Sequence, residues 1–404
     1  MRAADRALYL RPARVWDGVA DGPVADVGVL VRDGRVVEVG SEVRHGRDAE
    51  LVELPDCTLL PGLIDCHVHT LDESLDTQPA AYQVLRALES LRALLAGGFT
   101  TVRDLGGSGQ PLNTALKRAI EEGIVVGPRM VVAPNIISAR GGHADKSPNL
   151  SQRYGLEIGA VADGPDELRS AVRRQVRAGA DWIKFAGGGG FSSPADGPTT
   201  TAYSQHEVTT LVTTARDCGL PTAVHAFDDE SVIRAVRAGV RSVEHASLAT
   251  PTAFRCMEKA GTYLVPTQYM AWLVLEKLDD DAYWEGRPAV MRETIERHAE
   301  GLRETLLLPA RSRLKIAFGT DAGMFPHSEN WRELPTMVKH GMSPSRALRA
   351  ATSTAAEMLG LPDLGRIAPG AVADLVAVKG DPFQDIHAIG QVFRVVQAGR
   401  VCDM

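Results

Sequence analysis

Residues 61–70 read PGLIDCHVHT, a short apolar run that closes on two histidines separated by one residue. In an extended strand successive side chains point to opposite faces, so His67 and His69 share one face while Cys66 and Val68 share the other. Two imidazoles then converge on one point, an arrangement that suits a metal ion. An H-x-H pair on its own is weak evidence, because exposed strands carry such pairs by chance. The rest of the chain has to decide what this one is for.

Downstream of this run the chain alternates short β-branched stretches with longer helical ones. The stretches are LIDCHVH (63–69), TTVRDLG (100–106), MVVAPNII (130–137), DWIKFAG (181–187), TAVHAF (222–227), SVEHAS (242–247), YLVPTQ (263–268) and KIAFGTD (315–321). Eight such units predict an α/β fold of the closed (β/α)8 TIM-barrel type. Between the fourth and fifth, Ser204 and Glu207 form an S-x-x-E capping box that opens a helix running to Cys218-Gly219, and His206 inside it reads as a helix-surface residue. The stretch from Tyr269 to about Arg313 is too long for one βα connection. It reads as surface helices, a lid, or a contact between subunits of a homo-oligomer.

The two ends of the chain have a different pattern. Asp33-Gly34 lies between two β-rich runs as a two-residue hairpin turn, and ADLVAVKGDPF and QVFRVVQAGRVC continue the short strands near the C-terminus. The ends are expected to pair into a small β-sandwich built from residues 1–60 and 365–404, with the barrel occupying 61–364.

Composition narrows the possible partners. With 404 residues, 44% of them hydrophobic and 24% charged, the chain can bury a large core, and its net charge of −7 offers no basic footprint for nucleic acid. No secretory signal pattern and no run of 18 uncharged apolar residues is present, so a cytoplasmic protein without a membrane partner is expected. The five cysteines (Cys57, Cys66, Cys218, Cys256 and Cys402) form no C-x-x-C pair. Any metal must therefore use nitrogen and oxygen.

In barrels of this kind catalytic groups project from the C-terminal ends of strands. Strand one ends in His67 and His69, strand four carries Lys184, strand five His225, strand six His245 and strand eight Asp321. Taken singly, His225 and His245 read as hydrogen-bonded core histidines and Asp321 as a helix cap. Six metal-compatible residues at one level of the barrel read as a single site. Lys184, inside the apolar run WIKF, has to be desolvated. A neutral lysine can add carbon dioxide, and the resulting carbamate is an anionic ligand able to bridge two divalent ions.

With these motifs in view (PGLIDCHVH, IKFAGGGG, AVHAF, VEHAS, FGTDAG and LGRIAPGAVADLVAV) the chain resembles the metal-dependent amidohydrolases over almost its whole length. The resemblance implies the barrel with its appended β-sandwich. It also implies two divalent ions, zinc by default, the first held by His67, His69 and Asp321, the second by His225 and His245, with carboxylated Lys184 between them. The branch it is most similar to includes Xaa-Pro and related dipeptidases and ochratoxin-type amidases. There a GGHGD motif follows strand three, and here the sequence is SARGGHAD. His143 is thereby implied as a catalytic and substrate-site residue at the carbonyl oxygen or oxyanion, and Arg140 as an anchor for a substrate carboxylate. Relatives carry tyrosine where this chain has Phe227, which loses a hydroxyl in the substrate site.

The expected activity is cleavage of an amide bond in a small-molecule or peptide substrate (a dipeptide, an N-acyl amino acid or a C-terminal peptide segment) by a water shared between two ions, with Asp321 as proton shuttle. Three alternatives remain at this point. The first is a peptide-tailoring amidohydrolase of a natural-product pathway. The second is a mononuclear deaminase on the same barrel, using Asp228 or Glu230. The third is a scaffold that has lost its catalysis.

Overall fold

The Asp33-Gly34 turn forms as its residues require. Both have positive φ, 50° and 75°, and Arg32 pairs with Arg35 across it. In the computed structural model, which describes residues 7–403 except 45, 47, 72–74, 77, 108, 146–158 and 194–195, this hairpin belongs to an eight-stranded sheet drawn from both ends of the chain. Leu8–Val15 pairs antiparallel with Gly28–Arg32 on one side and parallel with Glu50–Pro61 on the other. Leu375–Lys379 adds antiparallel to Glu50–Pro61, followed by Val392–Gln397. Leu10, Val29, Leu54, Leu59, Leu375 and Val396 are buried together on this sheet.

Past Gly62 the chain continues directly into the first parallel strand, Leu63–Val68. It pairs with Phe99–Asp104, and that strand with Arg129–Val132. A second parallel sheet contains Ile136–Ser138, Ile183–Ala186, Thr222–Ala226, Ser242–His245 and Tyr263–Val265 in spatial order, with Ala160–Val161 at its edge. The run MVVAPNII, expected as one strand, is divided between the two sheets around Pro134, which has no N–H to give a ladder. Across that division the amides of Asp181 and Trp182 donate to Val132 O at 2.9 and 3.2 Å.

The KIAFGTD segment and the alanine that follows it make isolated bridges in place of a full strand, Leu264 with Ile316 and Val68 with Ala322. It nevertheless hydrogen-bonds on both sides. Ala317 N donates to Leu264 O at 2.9 Å, and Cys66 N donates to Phe318 O at 2.9 Å. His69 and Asp321 are brought together by this junction.

Amphipathic helices follow the strands and carry their own stop signals. Asp229–Ala238 begins at Asp228, whose side chain accepts from Ser231 N, and ends at Gly239 with φ 92°. The Gln205–Asp217 helix has the expected capping box: Ser204 N donates to Glu207 Oε2 at 2.8 Å and Glu207 N to Ser204 Oγ at 3.4 Å. His206 is exposed on that helix. The long stretch after Tyr263–Val265 folds as the helices Gln268–Glu276, Asp281–Trp284, Ala289–Thr305 and Leu308–Arg311. Their apolar faces meet at Val274, Trp284, Met291, Ile295 and Leu302, packed against Phe191 and Met324. Among the described residues no helix is long and apolar enough to cross a membrane.

Removal of the Ser204 cap by Ser204→Ala should cost about 0.5–2 kcal/mol of stability, because the Glu207 N–H loses its fixed partner while the Ser204 N–H keeps the Glu207 carboxylate. Urea unfolding measures this. A change of zero would mean that water replaces the cap at no cost.

Candidate metal-binding active site

The two histidines of PGLIDCHVHT do share a face. Their ring centroids lie 5.3 Å apart, and both Nε2 atoms face one oxygen, Asp321 Oδ1, at 3.3 Å from His67 and 3.1 Å from His69. His245 joins them, its ring 4.9 Å from that of His67. One ligand atom from each of His67, His245 and Asp321 falls within 4.8 Å of the others.

Backbone geometry helps to assemble this group. His245, Thr267 and Asp321 have left-handed φ values of 72°, 46° and 65°, which non-glycine residues adopt mainly where the surroundings impose them. Simple alternation along Ser242–His245 would send Glu244 and His245 to opposite faces. With the backbone turned at His245, both reach His67: the Glu244 carboxylate from one side, the His245 ring from another.

Hydrogen bonds decide which ring nitrogen each histidine can offer. His67 Nδ1 lies 2.9 Å from Glu244 Oε2 and His69 Nδ1 lies 2.5 Å from Gly106 O, and since both partners only accept, the protons sit on Nδ1 and the lone pairs on Nε2. His245 is oriented in the same sense by Thr267 Oγ1, 2.8 Å from its Nδ1. His225 is reversed: its Nε2 donates to Gly189 O at 3.1 Å, so its lone pair is on Nδ1. Burial holds the His225 and His245 pKa values well below the ordinary histidine value, which keeps both rings neutral and able to ligate. Burial alone would raise the Asp321 carboxyl, but the imidazoles gathered around it, His67 foremost, with His69 and His245, outweigh it and hold the group well below its ordinary value.

Lys184 lies in Ile183–Ala186 at 2% exposure, and among the described residues its Nζ has no hydrogen-bond partner. Burial lowers its pKa to about 8, although the Glu244 and Asp321 carboxylates pull the other way. A buried amine without an acceptor is costly. It is the polar group in this site that most clearly lacks something.

Beneath the site lies a layer that the sequence motifs contained but did not reveal. Arg103 Nη2 donates to both oxygens of Glu244 at 2.9 and 3.0 Å, its Nε donates to Cys66 O at 2.6 Å, and its guanidinium stacks 4.4 Å from the Trp182 ring. Arg103 and Glu244 are both fully buried. Burial opposes the Glu244 charge, but Arg103 and the His67 hydrogen bond hold its carboxyl far below the usual range. Asp65 accepts from His67 N and from Thr320 Oγ1, linking the first histidine to the residue before Asp321. The one available signal was a charged residue inside each of the apolar runs LIDCHVH, TTVRDLG and SVEHAS.

All six expected ligands line a single cavity of about 140 Å³. Phe227 also lines it, its ring 5.1 Å from His245 and 4.7 Å from His225. His143 lies flat against His225, with centroids 4.1 Å apart and planes at 12°. The helices after Tyr263–Val265 supply an apolar roof of Met270, Val274, Met291, Ile295 and Leu302. Arg140 is not brought to this cavity: its guanidinium pairs with Asp163 at 2.7 Å and Glu167 at 3.4 Å on an outer cleft. The expectation that it anchors a substrate carboxylate is therefore corrected, because two acidic side chains already engage its charge. Asp228 caps a helix and Glu230 pairs with Arg234, and neither lines the cavity.

The sequence matches the amidohydrolase family over residues 58–402. It is 29% identical to ochratoxinase from Aspergillus niger over 354 residues, covering 81% of this chain and 71% of that one. A solved Xaa-Pro dipeptidase with methionine bound in its active site superposes with a TM-score of 0.90 at 32% identity, covering 98% of this chain and 100% of the other. A prolidase bound to N-methylphosphonate-L-proline gives 0.87 at 31% identity, covering 98% and 99%. The chain belongs to the amidohydrolase family.

Proposed function

We propose that this chain hydrolyses an amide bond in a small apolar substrate, a dipeptide or an N-acyl amino acid, using two divalent ions held by His67, His69, Lys184, His225, His245 and Asp321. The observation that carries this reading is the unpartnered Lys184 Nζ facing neutral imidazoles and an ionised carboxylate in one buried cavity. This donor set fits divalent ions. It is rich in nitrogen and oxygen, its histidine lone pairs are fixed by outer hydrogen bonds, and zinc is the default for such ligands. Lys184 completes the set as a carbamate: the neutral amine adds to carbon dioxide, one C–N bond forms and one proton leaves. The product is an anion that replaces a costly buried amine. His67 and His69 with Asp321 are assigned to one ion, His225 and His245 to the other, and Lys184 to both.

When bound, the ions supply an activated water and polarise the scissile carbonyl. The chain supplies the remaining functions. Asp321 accepts the proton of the attacking water at a carboxylate oxygen and delivers it to the departing amine. His143 and Phe227 contact the substrate beside this point. The roof of Met270, Val274, Met291, Ile295 and Leu302 excludes water and receives an apolar side group. The domain reading is a closed eight-stranded barrel over 61–364, with residues 1–60 and 365–404 forming the small β-sandwich. With Asp228 and Glu230 engaged elsewhere, a mononuclear deaminase lacks its acid at the cavity wall among the described residues.

A panel of dipeptides and N-acyl amino acids, followed by the amine released, tests this directly. The metal-loaded protein should favour large apolar side groups over charged ones by about tenfold or more, since one methylene in a fitted pocket already discriminates by about 10–200-fold. Absence of turnover on every amide in the panel would contradict the proposal. Asp321→Asn should lower kcat by about 10²–10⁴-fold through loss of the proton acceptor. Unaltered kcat in that variant would move the shuttle to another residue.

A further inference from the structure

The glycine run 187–190 belongs to the IKFAGGGG motif, but the ligand set uses none of its four glycines and none of the FSS that follows. None of the four glycines has a positive φ, so left-handed backbone does not explain the run. Close approach does. A Cβ on Gly190 would collide with His143 Nδ1, and a Cβ on Gly189 would collide with Gly197 O and with the Asp196 carboxyl at 2.7 Å. The glycines leave the space into which one imidazole and one carboxylate fit.

What holds that imidazole is on the same loop. His143 Nδ1 lies 2.8 Å from Ser193 Oγ, and Ser193 is buried. Beside it, the Asp196 carboxylate accepts from Gly190 N at 3.2 Å and takes a side-chain hydrogen bond from Ser193. The opposite face of the ring is fixed by the parallel contact with His225. The imidazole is thus clamped at one edge by Ser193, which lies outside the ligand set, and on one face by the ligand candidate His225.

The order of donors follows from the chemistry of each group. Burial raises the Asp196 carboxyl while the hydrogen bonds of Ser193 and Gly190 N favour its ionised form, which only accepts; the Ser193 hydroxyl then gives its proton to Asp196, and its oxygen accepts from His143 Nδ1–H. The geometry points to Ser193 as the positioning residue of His143: with Gly190 and Asp196 it sets the ring's angle over His225 and keeps a proton on Nδ1, so that Nε2 is the nitrogen that meets the substrate. The inference rests on the reading above only in placing His143 at the substrate.

A double-mutant cycle separates this role from general stability. Ser193→Ala should lower kcat/KM by about 10–100-fold, by analogy with the loss of an orienting partner of a metal-ligating histidine, with metal content unchanged. Ser193→Thr, which keeps the hydroxyl, should restore most of it. In a His143→Ala background Ser193→Ala should have no further effect. Gly190→Ala, which leaves Ser193 intact but drives a Cβ into the ring, should reproduce the loss. A full, multiplicative loss in the His143→Ala background, or wild-type kcat/KM in Ser193→Ala, would overturn the assignment. A readout that needs no turnover is 15N NMR of histidine-labelled, metal-loaded protein, with the His143 signals identified by their absence in His143→Ala. Nδ1 should be protonated in the wild type and lose that preference in Ser193→Ala. A ring protonated on Nε2 alone in the wild type would sink the inference even if amide hydrolysis is confirmed. Failure of amide hydrolysis with the expected NMR result would sink only the functional reading.

Discussion

The site depends on a buried ion pair. Arg103 and Glu244 are fully buried and joined by two hydrogen bonds, and the same carboxylate receives the Nδ1 proton of His67. Removing either partner would strand a charge in the interior, at a cost of about 3–5 kcal/mol. In place, the pair fixes the tautomer of His67 and anchors three strands to each other through Arg103, Cys66 O, Ser242 and Glu244. Positioning then passes upward: His67 and His69 face Asp321, and the turned backbone at His245 brings in the third imidazole.

Charge balance explains why such an arrangement is kept. Arg103 offsets Glu244, which leaves Asp321 as the anion facing neutral histidines and a buried amine with no partner. The donor lone pairs crowd one another, with four imidazole rings linked by centroid distances of 5.3, 4.9 and 4.8 Å. Divalent ions would turn this crowding into coordination, and carboxylation of Lys184 would add the second negative charge. The apolar roof then serves two purposes: it lowers the local dielectric around the charged centre and presents a surface matched to an uncharged side group.

Much of this could be read from the sequence because strand-end chemistry is local. The H-x-H pair follows from period-two alternation, and Lys184 in WIKF and the histidines of AVHAF and VEHAS from their place at the end of a strand, and all of them line the cavity. The helix start at Ser204 was legible for the same reason: a capping box is contained within four residues. Features set by distant contacts were not legible. Arg103 and Glu244 are 141 positions apart, and a lone charge in a strand does not announce its partner. Arg140 was misread because the acids that engage it, Asp163 and Glu167, come from a later segment. The division of MVVAPNII at Pro134 was available in the residue itself, which cannot donate to a ladder. Whether the stretch after YLVPTQ covered the site or the surface depended on tertiary packing of Met291, Ile295 and Leu302, which periodicity alone cannot direct.

The central claim is that Lys184 completes a site for two ions. It is tested most directly by the number of divalent metal equivalents per chain in fully active protein, measured beside Lys184→Ala. Two equivalents in the wild type, falling to one or fewer with loss of hydrolysis in the variant, is the predicted result. One equivalent at full activity, or two retained in an active Lys184→Ala protein, would contradict it.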